Sequence, residues 1–360
     1  MYHVFFNTST PYIKYLAVLL HSIIAHTRPS NPAIKESQAP YIFHVLLDSG
    51  AFDESSQGEL ESLHSLIHIL NQSYPCELRT HDCAQLLTQI QPEPNINRVI
   101  YSRLFVANFV DESVEKCLYL DTDMLALDDV REIFAMEIGE KVLGVVRDAV
   151  AYQAPLESKT GGKPFRFSHN RVYFNSGMLL INLNAWRTEA IEQKAVRFLQ
   201  SYHALYFDQD ALNAVIGDQV ELLDLAWNFQ FYFYAQYEAH KIFRNPPNPY
   251  QASFINRKII HYVCNPKPWE SPYLSLDSMH LPVFAYDRDV WWDLAMRTEP
   301  FAKELIAIEQ SFTHQALESY SRALGADLQN IYKRIDNIAS FIKNPIGFVY
   351  RKFMKKIARI

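Results

Sequence analysis

The sequence predicts an α/β protein built on a mostly parallel sheet with helices on both faces. Short apolar runs of strand length alternate with segments whose apolar residues recur at helical spacing, a pattern typical of parallel sheets. With 49% hydrophobic and 21% charged residues, the composition is that of a globular protein. The 360 residues suffice for one large domain and a smaller appendage.

The apolar runs predict the positions of the strands and the intervening segments predict the helices. Strands are expected at residues 3–6, 41–47, 76–80, 117–120, 142–146, 178–183 and 258–263. Helices are expected from Pro11, over 55–70, after the cap Asn97, over 130–136 behind the caps Asp128 and Asp129, over 185–203, and from Asp208. Residues 151–170 are expected to form a mobile lid, and 229–256 an irregular excursion outside the core.

Charge and cysteine content exclude some classes of protein. A net charge of −6 argues against a general nucleic-acid binder. The four cysteines lack paired spacing and no secretory signal precedes them, so we expect free thiols and a cytoplasmic location. The most apolar N-terminal run, residues 15–24, is too short to span a bilayer.

The last thirty residues differ from the body of the chain. Residues 331–360 carry eight Lys or Arg against the single acid Asp336, although the whole chain is acidic. Apolar residues recur at helical spacing in this segment, on either side of Pro345. A basic amphipathic helix suits an anionic membrane surface, and the alternative is a helix packed on the body with a solvated basic face.

Asp121 and Asp123 directly follow the apolar run 117–120. Ligands bind at the carboxyl ends of the strands in an open α/β sheet, so both carboxylates are expected in that crevice. Two carboxylates there form a hard oxygen site for Mn²⁺ or Mg²⁺. Taken alone, Asp-x-Asp is more often a solvated turn or a helix cap, so the interpretation depends on the rest of the chain.

Four motifs occur in order along the chain. They are Tyr119 to Asp123, Tyr173 to Trp186, Asp208 to Asn213, and His261 to Trp269. In this order and spacing they resemble glycosyltransferase family 8, most closely its lipopolysaccharide or lipooligosaccharide galactosyl- and glucosyltransferases. The resemblance covers roughly residues 2–270 and implies a GT-A-type nucleotide-sugar-binding fold. We therefore expect a catalytic domain over 1–275, followed by a helical segment over 276–330 and the basic, membrane-associating tail over 331–360.

The resemblance implies a role for each matching residue. Asp121, Asp123 and His261 resemble the Mn²⁺ ligands, with Mg²⁺ as an alternative. The implied donor-binding residues are Thr8, Arg103, Asp121, Thr122, Asp123, Asn175, Ser176, Gly177 and Lys267. Family members retain anomeric configuration, and Gln209 resembles the residue beneath the anomeric carbon. An amide is a poor nucleophile, which favours front-face substitution. Asp148 and Asp208 are the alternative nucleophiles, and Asp208 is otherwise an N-cap.

The resemblance implies a UDP-hexose donor, galactose or glucose, and a saccharide or lipid-linked acceptor. The basic tail predicts a peripheral position at the inner face of the membrane. Two departures stand out: Asn7-Thr8-Ser9 replaces the acidic residue usual after the first strand, and Cys264 replaces a glycine. They motivate the alternative of a catalytically silent sugar-nucleotide binder. A haloacid-dehalogenase-type phosphatase is disfavoured because Leu125 stands where that motif needs Thr or Val.

Overall fold

The computed structural model describes the chain except for residues 33, 35–37, 95, 150–153, 169, 231–248, 264–266, 271–286 and 345–360. The chain forms two units, Met1–Trp269 with Ala285–Ile306, and Glu270–Phe284 with Ala307–Ile360. The first unit is an α/β fold. The described part of the second is the C-terminal portion of a long helix, α10 (Ala302–Lys343).

A seven-stranded sheet organises the first unit. Its strands are β1 (Tyr2–Asn7), β2 (Tyr41–Leu47), β3 (Cys76–Asp82), β4 (Lys116–Leu120), β6 (Leu143–Arg147), β7 (Phe174–Asn182) and β8 (Val220–Leu222). They lie in the order β3-β2-β1-β4-β7-β6-β8. All neighbouring pairs are parallel except those made by β7, which is antiparallel to both β4 and β6. The sheet is therefore mostly parallel, as predicted.

A second, three-stranded sheet joins parts of the chain that are far apart in sequence. It consists of β5 (Met124–Ala126), β10 (Ile259–His261) and β9 (Phe229–Gln230), with β10 in the middle. The pairing of β10 with β5 is antiparallel and sets His261 opposite Met124. The sequence predicted neither β5 nor the separation of β10 from the main sheet.

The central strands contribute to a core on each face of the sheet. Leu118 and Leu120 of β4 pack into one apolar cluster, and Cys117 and Tyr119 into the other, because side chains alternate along a strand. The helices divide between the faces accordingly. The first cluster takes α1 (Ile13–Ala25), α2 (Ser56–Leu70) and α9 (Arg288–Ala295), and the second takes α5 (Leu183–Thr188), α6 (Ile191–Ser201) and α7 (Phe207–Ile216).

Three expectations are corrected by the structure. The helix predicted over 185–203 is two helices, α5 and α6, because Ala190 adopts a left-handed conformation with φ of 51°. Phe229 and Gln230, expected outside the core, form a strand that is almost fully buried. In the predicted lid, Leu156 pairs with Phe165 in an antiparallel bridge and is itself buried.

The remaining elements are short. They are α3 (Ala84–Leu87), α4 (Arg131–Phe134), α8 (Pro249–Ile255) and 3-10 helices at Thr10–Tyr12, Ser49–Ala51, Arg98–Phe109 and Leu225–Asn228. Asn97 caps the third of these by accepting from Val99 N, as predicted. Cys76, Cys83 and Cys117 are free thiols, and Cys264 lies outside the described residues. None of the described helices combines the length and apolarity needed to cross a membrane.

Three histidines form a row across β1, β2 and β3. His3 Nδ1 lies 3.0 Å from His44 Nε2, and His44 Nδ1 lies 2.9 Å from His81 Nε2. Burial lowers the pKa of all three, that of His44 to about 2, and the Arg79 guanidinium adds to each shift. All three rings are thus neutral in the folded chain near neutral pH.

We predict that acid destabilises the fold through this row. Below pH 6.5 the unfolded chain binds more protons than the folded chain. The free energy of unfolding therefore has its full value above that pH and falls as the pH drops. At about 1.4 kcal/mol per pH unit, His44 alone accounts for about 2 kcal/mol by pH 5. Urea midpoints across this range measure the loss. His44→Phe should flatten the pH dependence, whereas His64→Asn on the exposed side of α2 should not; equal slopes for both would contradict the prediction.

Candidate active site

The sequence-predicted metal residues converge where β4 ends and β7 begins. Asp121 follows β4, and its backbone N–H donates to the carbonyl of Gly177 over 2.8 Å. Asp123 precedes β5, and its carbonyl accepts from Tyr262 N over 2.9 Å. Since β10 pairs with β5, His261 is carried to the same point. One ligand atom from each of Asp121, Asp123 and His261 lies within 4.8 Å of the others.

Neighbouring groups orient each of the three side chains. Asp121 Oδ1 accepts from Tyr119 OH over 2.7 Å and from Arg103 over 2.8 Å. Asp123 Oδ2 accepts from Lys267 over 2.6 Å. His261 Nε2 then lies 3.2 Å from Asp123 Oδ1 and 3.8 Å from Asp121 Oδ2. Outer contacts of this kind hold ligand atoms of a metal site in place.

The residues present fit a divalent ion. Two carboxylate oxygens and one imidazole nitrogen form a donor set that suits Mn²⁺, and Mg²⁺ less well because of the nitrogen. Gly177 also fits this reading, because a Cβ there would lie 2.8 Å from Asp121 Oδ2 and nearer still to His261 Cε1. Burial by itself would raise the pKa of Asp123, but Lys267 and His261 outweigh it and lower that pKa, so Asp123 is ionised.

Arg103 connects this cluster to Asp208. Its guanidinium lies 2.8 Å from Asp121 and 3.1 Å from Asp208, donates to the carbonyl of Ser176 over 2.7 Å, and is almost fully buried. Ser176 Oγ donates to Asp208 Oδ2 over 2.9 Å. Burial raises the pKa of Asp208 to about 6 although Arg103 lowers it. The N-cap reading of Asp208 is wrong, since the N-cap of α7 is Tyr206.

Gln209, Asn175 and Asp148 form a second network beside the first. The Gln209 amide donates to Asp148 Oδ2 over 3.0 Å and accepts from Ser176 N over 2.9 Å and from Asn175 Nδ2 over 3.2 Å. Asn175 Nδ2 also donates to Asp148 Oδ2 over 3.0 Å. All three predicted catalytic candidates therefore lie in contact with residues of the Asn175-Ser176-Gly177 motif, which opens β7.

The remaining donor-binding candidates lie along the same edge. Thr8 directly follows β1, the neighbour of β4, and is buried, with its hydroxyl donating to Ser9 O. Thr122 lies half-buried between the two metal candidates. Lys267 also contacts the carbonyl of Tyr262. Pro266 and Cys264, which the sequence placed beside it, lie outside the described residues.

Sequence reasoning missed two groups in this site. Tyr119 was assigned to the buried strand and to the first motif but given no role of its own, yet its hydroxyl donates to Asp121. Asn228 ends the 3-10 helix Leu225–Asn228, is fully buried, and contacts both Asn175 and His261. Its sequence neighbourhood carries no motif, so only the fold could bring it to notice.

The sequence of the chain matches a known protein family. The model of glycosyl transferase family 8 matches residues 3–272. Glycosyltransferase GlyE of Streptococcus pneumoniae serotype 4 is 28% identical over 65% of this chain and 54% of its own length. The lipopolysaccharide 1,3-galactosyltransferase of Salmonella typhimurium is 26% identical over 64% of each chain. The chain thus spans less than two thirds of either relative.

Solved structures agree on the fold. A galactosyltransferase LgtC in complex with donor and acceptor sugar analogues superposes with a TM-score of 0.59 at 20% identity, over 85% of this chain and 99% of that one. GlyE of Streptococcus pneumoniae gives 0.54 at 21% identity, over 88% and 64%. The fold is of the GT-A type, with a helical C-terminal appendage. Because the family model covers three quarters of the chain, the chain belongs to glycosyl transferase family 8.

Proposed function

We propose that the protein is a metal-dependent, retaining hexosyltransferase that uses a UDP-sugar. The observation that carries the proposal is the convergence of Asp121, Asp123 and His261 on one point, directly beside the Gln209 network. A metal site and a sugar pocket must adjoin in such an enzyme, because the bond that breaks joins the sugar to the diphosphate. The proposed donor sugar is galactose or glucose, which differ at a single hydroxyl.

The bound metal would neutralise the diphosphate as it departs. On the protein side, Lys267 adds a positive charge next to Asp123 and is the residue we assign to the diphosphate. Thr8 and Thr122 offer hydroxyl groups at the same edge for the nucleotide. Gly177 lets the backbone of β7 approach the donor without a side chain in between.

The state of the Gln209 amide supports front-face substitution. Its Oε1 already accepts two hydrogen bonds, from Ser176 N and Asn175 Nδ2, so its lone pairs are engaged and its nucleophilicity is low. In front-face substitution the acceptor hydroxyl attacks on the side from which the diphosphate leaves, and the leaving oxygen takes its proton. Gln209 and Asn175 would then position the sugar. Asp148 and Asp208 remain the alternative nucleophiles for a double displacement.

The acceptor is proposed from the relatives rather than from the site. The Salmonella typhimurium relative is named a lipopolysaccharide 1,3-galactosyltransferase, and an Escherichia coli relative, 27% identical over 65% of this chain, a lipopolysaccharide 1,2-glucosyltransferase. A lipid-linked glycan such as a lipopolysaccharide core is therefore the proposed acceptor. The alternative, a silent sugar-nucleotide binder, is disfavoured because the metal candidates, Lys267 and Gln209 are all present together.

Removing one metal ligand should abolish transfer without unfolding the chain. Asp123→Ala leaves His261 and Asp121 unable to hold the ion alone, and Asp123 lies outside the core, so no cavity opens. Transfer and donor hydrolysis are measured with UDP-galactose and UDP-glucose, with and without Mn²⁺. Asp111→Ala, which removes an exposed carboxylate outside the four motifs, serves as the control. Metal-dependent transfer by Asp123→Ala near the wild-type rate would sink the metal assignment.

Anomeric configuration tests the mechanism. From an α-linked UDP-hexose we expect an α-linked product, because front-face substitution retains configuration. NMR of the purified product distinguishes the two anomers through their coupling constants. A β-linked product would show inversion and would contradict both the front-face and the double-displacement routes.

We also propose that the tail holds the enzyme peripherally on the cytoplasmic face of an anionic membrane. In the described part of α10, Ile331, Ile335, Ile338 and Ile342 lie at helical spacing and are 51–72% exposed. Residues 345–360 lie outside the described residues, but their sequence adds five basic side chains and no acid. Apolar residues in the acyl boundary and basic ones at the headgroups are the arrangement of an interfacial helix.

Membrane association should depend on the charge of the tail. Replacing Arg351, Lys352, Lys355, Lys356 and Arg359 with Gln removes about 1 kcal/mol of attraction per residue and should release the protein from anionic vesicles. Co-sedimentation with anionic and neutral vesicles, at low and high salt, measures this. Equal binding to both vesicle types, or binding unchanged in the variant, would contradict the proposal. If the variant changes only the oligomeric state, the exposed isoleucines of α10 would instead be the contact surface for a second copy of the chain.

A further inference from the structure

Asn228 links the candidate metal site to the candidate sugar pocket. It is fully buried at the end of a 3-10 helix, and its Nδ2 donates to Asn175 Oδ1 over 2.9 Å. On its other side, Asn228 Oδ1 lies 2.9 Å from His261 Nδ1. A single amide therefore bridges the only imidazole among the metal candidates and the amide that contacts Gln209.

The direction of these hydrogen bonds is fixed from one end. The backbone N–H of Gly177 can only donate, and it donates to Asn175 Oδ1 over 3.0 Å. A carboxylate can only accept, and Asp148 accepts from Asn175 Nδ2 over 3.0 Å. The Asn175 amide is thereby held with its oxygen toward Asn228. Asn228 therefore donates from its NH₂ group to Asn175 Oδ1, and the Asn228 oxygen faces His261.

The same logic fixes the imidazole. Asn228 Oδ1 can only accept, so His261 carries a proton on Nδ1. Nε2, the atom that faces Asp121 and Asp123, is thereby the ring nitrogen left to bind an ion; without an ion it lies 3.2 Å from Asp123 Oδ1, within reach of a hydrogen bond. We propose that Asn228 is a positioning residue for His261. The hydrogen bonds that run from Gly177 through Asn175 and Asn228 to His261, here called the relay, keep a proton on Nδ1 and leave Nε2 as the metal-binding nitrogen. The inference rests on the metal site of the proposed function.

Two substitutions separate the two halves of the relay. Asn228→Leu has a similar volume but neither donates nor accepts, so both contacts are lost. Asn228→Asp keeps an oxygen for His261 Nδ1 but loses the donor to Asn175. We therefore expect the Leu variant to impair metal binding, and the Asp variant to impair sugar positioning while metal binding stays close to wild type.

The first readout is the protonation of His261 Nδ1, in metal-free protein. NMR of the chain labelled with ¹⁵N in histidine, with His261→Gln to assign the signals, should show a proton on Nδ1 in the wild type and in Asn228→Asp. In Asn228→Leu nothing accepts from Nδ1, and the ring should shift to the Nε2–H tautomer, which donates to Asp123. The second readout is Mn²⁺ affinity by electron paramagnetic resonance of the free ion, which should weaken about 10–100-fold in Asn228→Leu only.

Asn31→Leu is the matched control, because Asn31 is also a buried amide, bonded to Asp129 and Glu132 rather than to the site. It should leave tautomer and Mn²⁺ affinity unchanged, and thermal unfolding checks the fold of every variant. A proton retained on Nδ1 in Asn228→Leu, together with wild-type Mn²⁺ affinity, would overturn the relay. If the wild type fails to bind Mn²⁺, and Asp123→Ala changes nothing, the metal site of the proposed function fails as well, which is a distinguishable result.

Discussion

The candidate site depends on the contacts that the Arg103 guanidinium makes. The guanidinium reaches carboxylates on two different elements, Asp121 after β4 and Asp208 in α7, and the carbonyl of Ser176 in β7. Without Arg103 the Asp208 carboxylate would lose its cationic partner, Asp121 would lose one of its donors, and so would the carbonyl of Ser176. Breaking a buried ion pair on one side costs about 3–5 kcal/mol because the remaining charge stays buried. Arg103 thus fixes the spacing of the site as well as its charge.

The direction of β7 decides which residues share this edge of the sheet. The parallel strands β1 and β4 bring the residues that follow their ends, but β7 runs the other way and brings its first residues, Asn175 to Gly177. Backbone N–H and C=O groups of a paired strand therefore stand directly beside the metal candidates. A motif at a strand start is held more rigidly than one in a loop, which suits the proposed role of these groups in orienting a donor sugar.

Much of this arrangement could be predicted from the sequence, and the exceptions have physical reasons. Strands with apolar runs, and the carboxylates after them, follow from local patterns that the chain itself carries. The reversal of β7 could not be read, because a buried strand has the same apolar pattern in either direction. Asn228 could not be found, because its importance lies in two contacts across 53 and 33 residues. The break at Ala190 is a single left-handed residue without a glycine to signal it.

The pairing of Asp121 N with Gly177 O has a consequence for the order in which the chain folds. This hydrogen bond, and the strand pairing β4–β7 to which it belongs, close a loop of more than fifty residues, and His261 arrives from still further along the chain. Closing loops of this length is slow, because the entropy cost comes before the contacts repay it. A chain whose distant strands have not yet paired therefore lacks the candidate site, because Asp121, Asp123 and His261 come together only through these pairings.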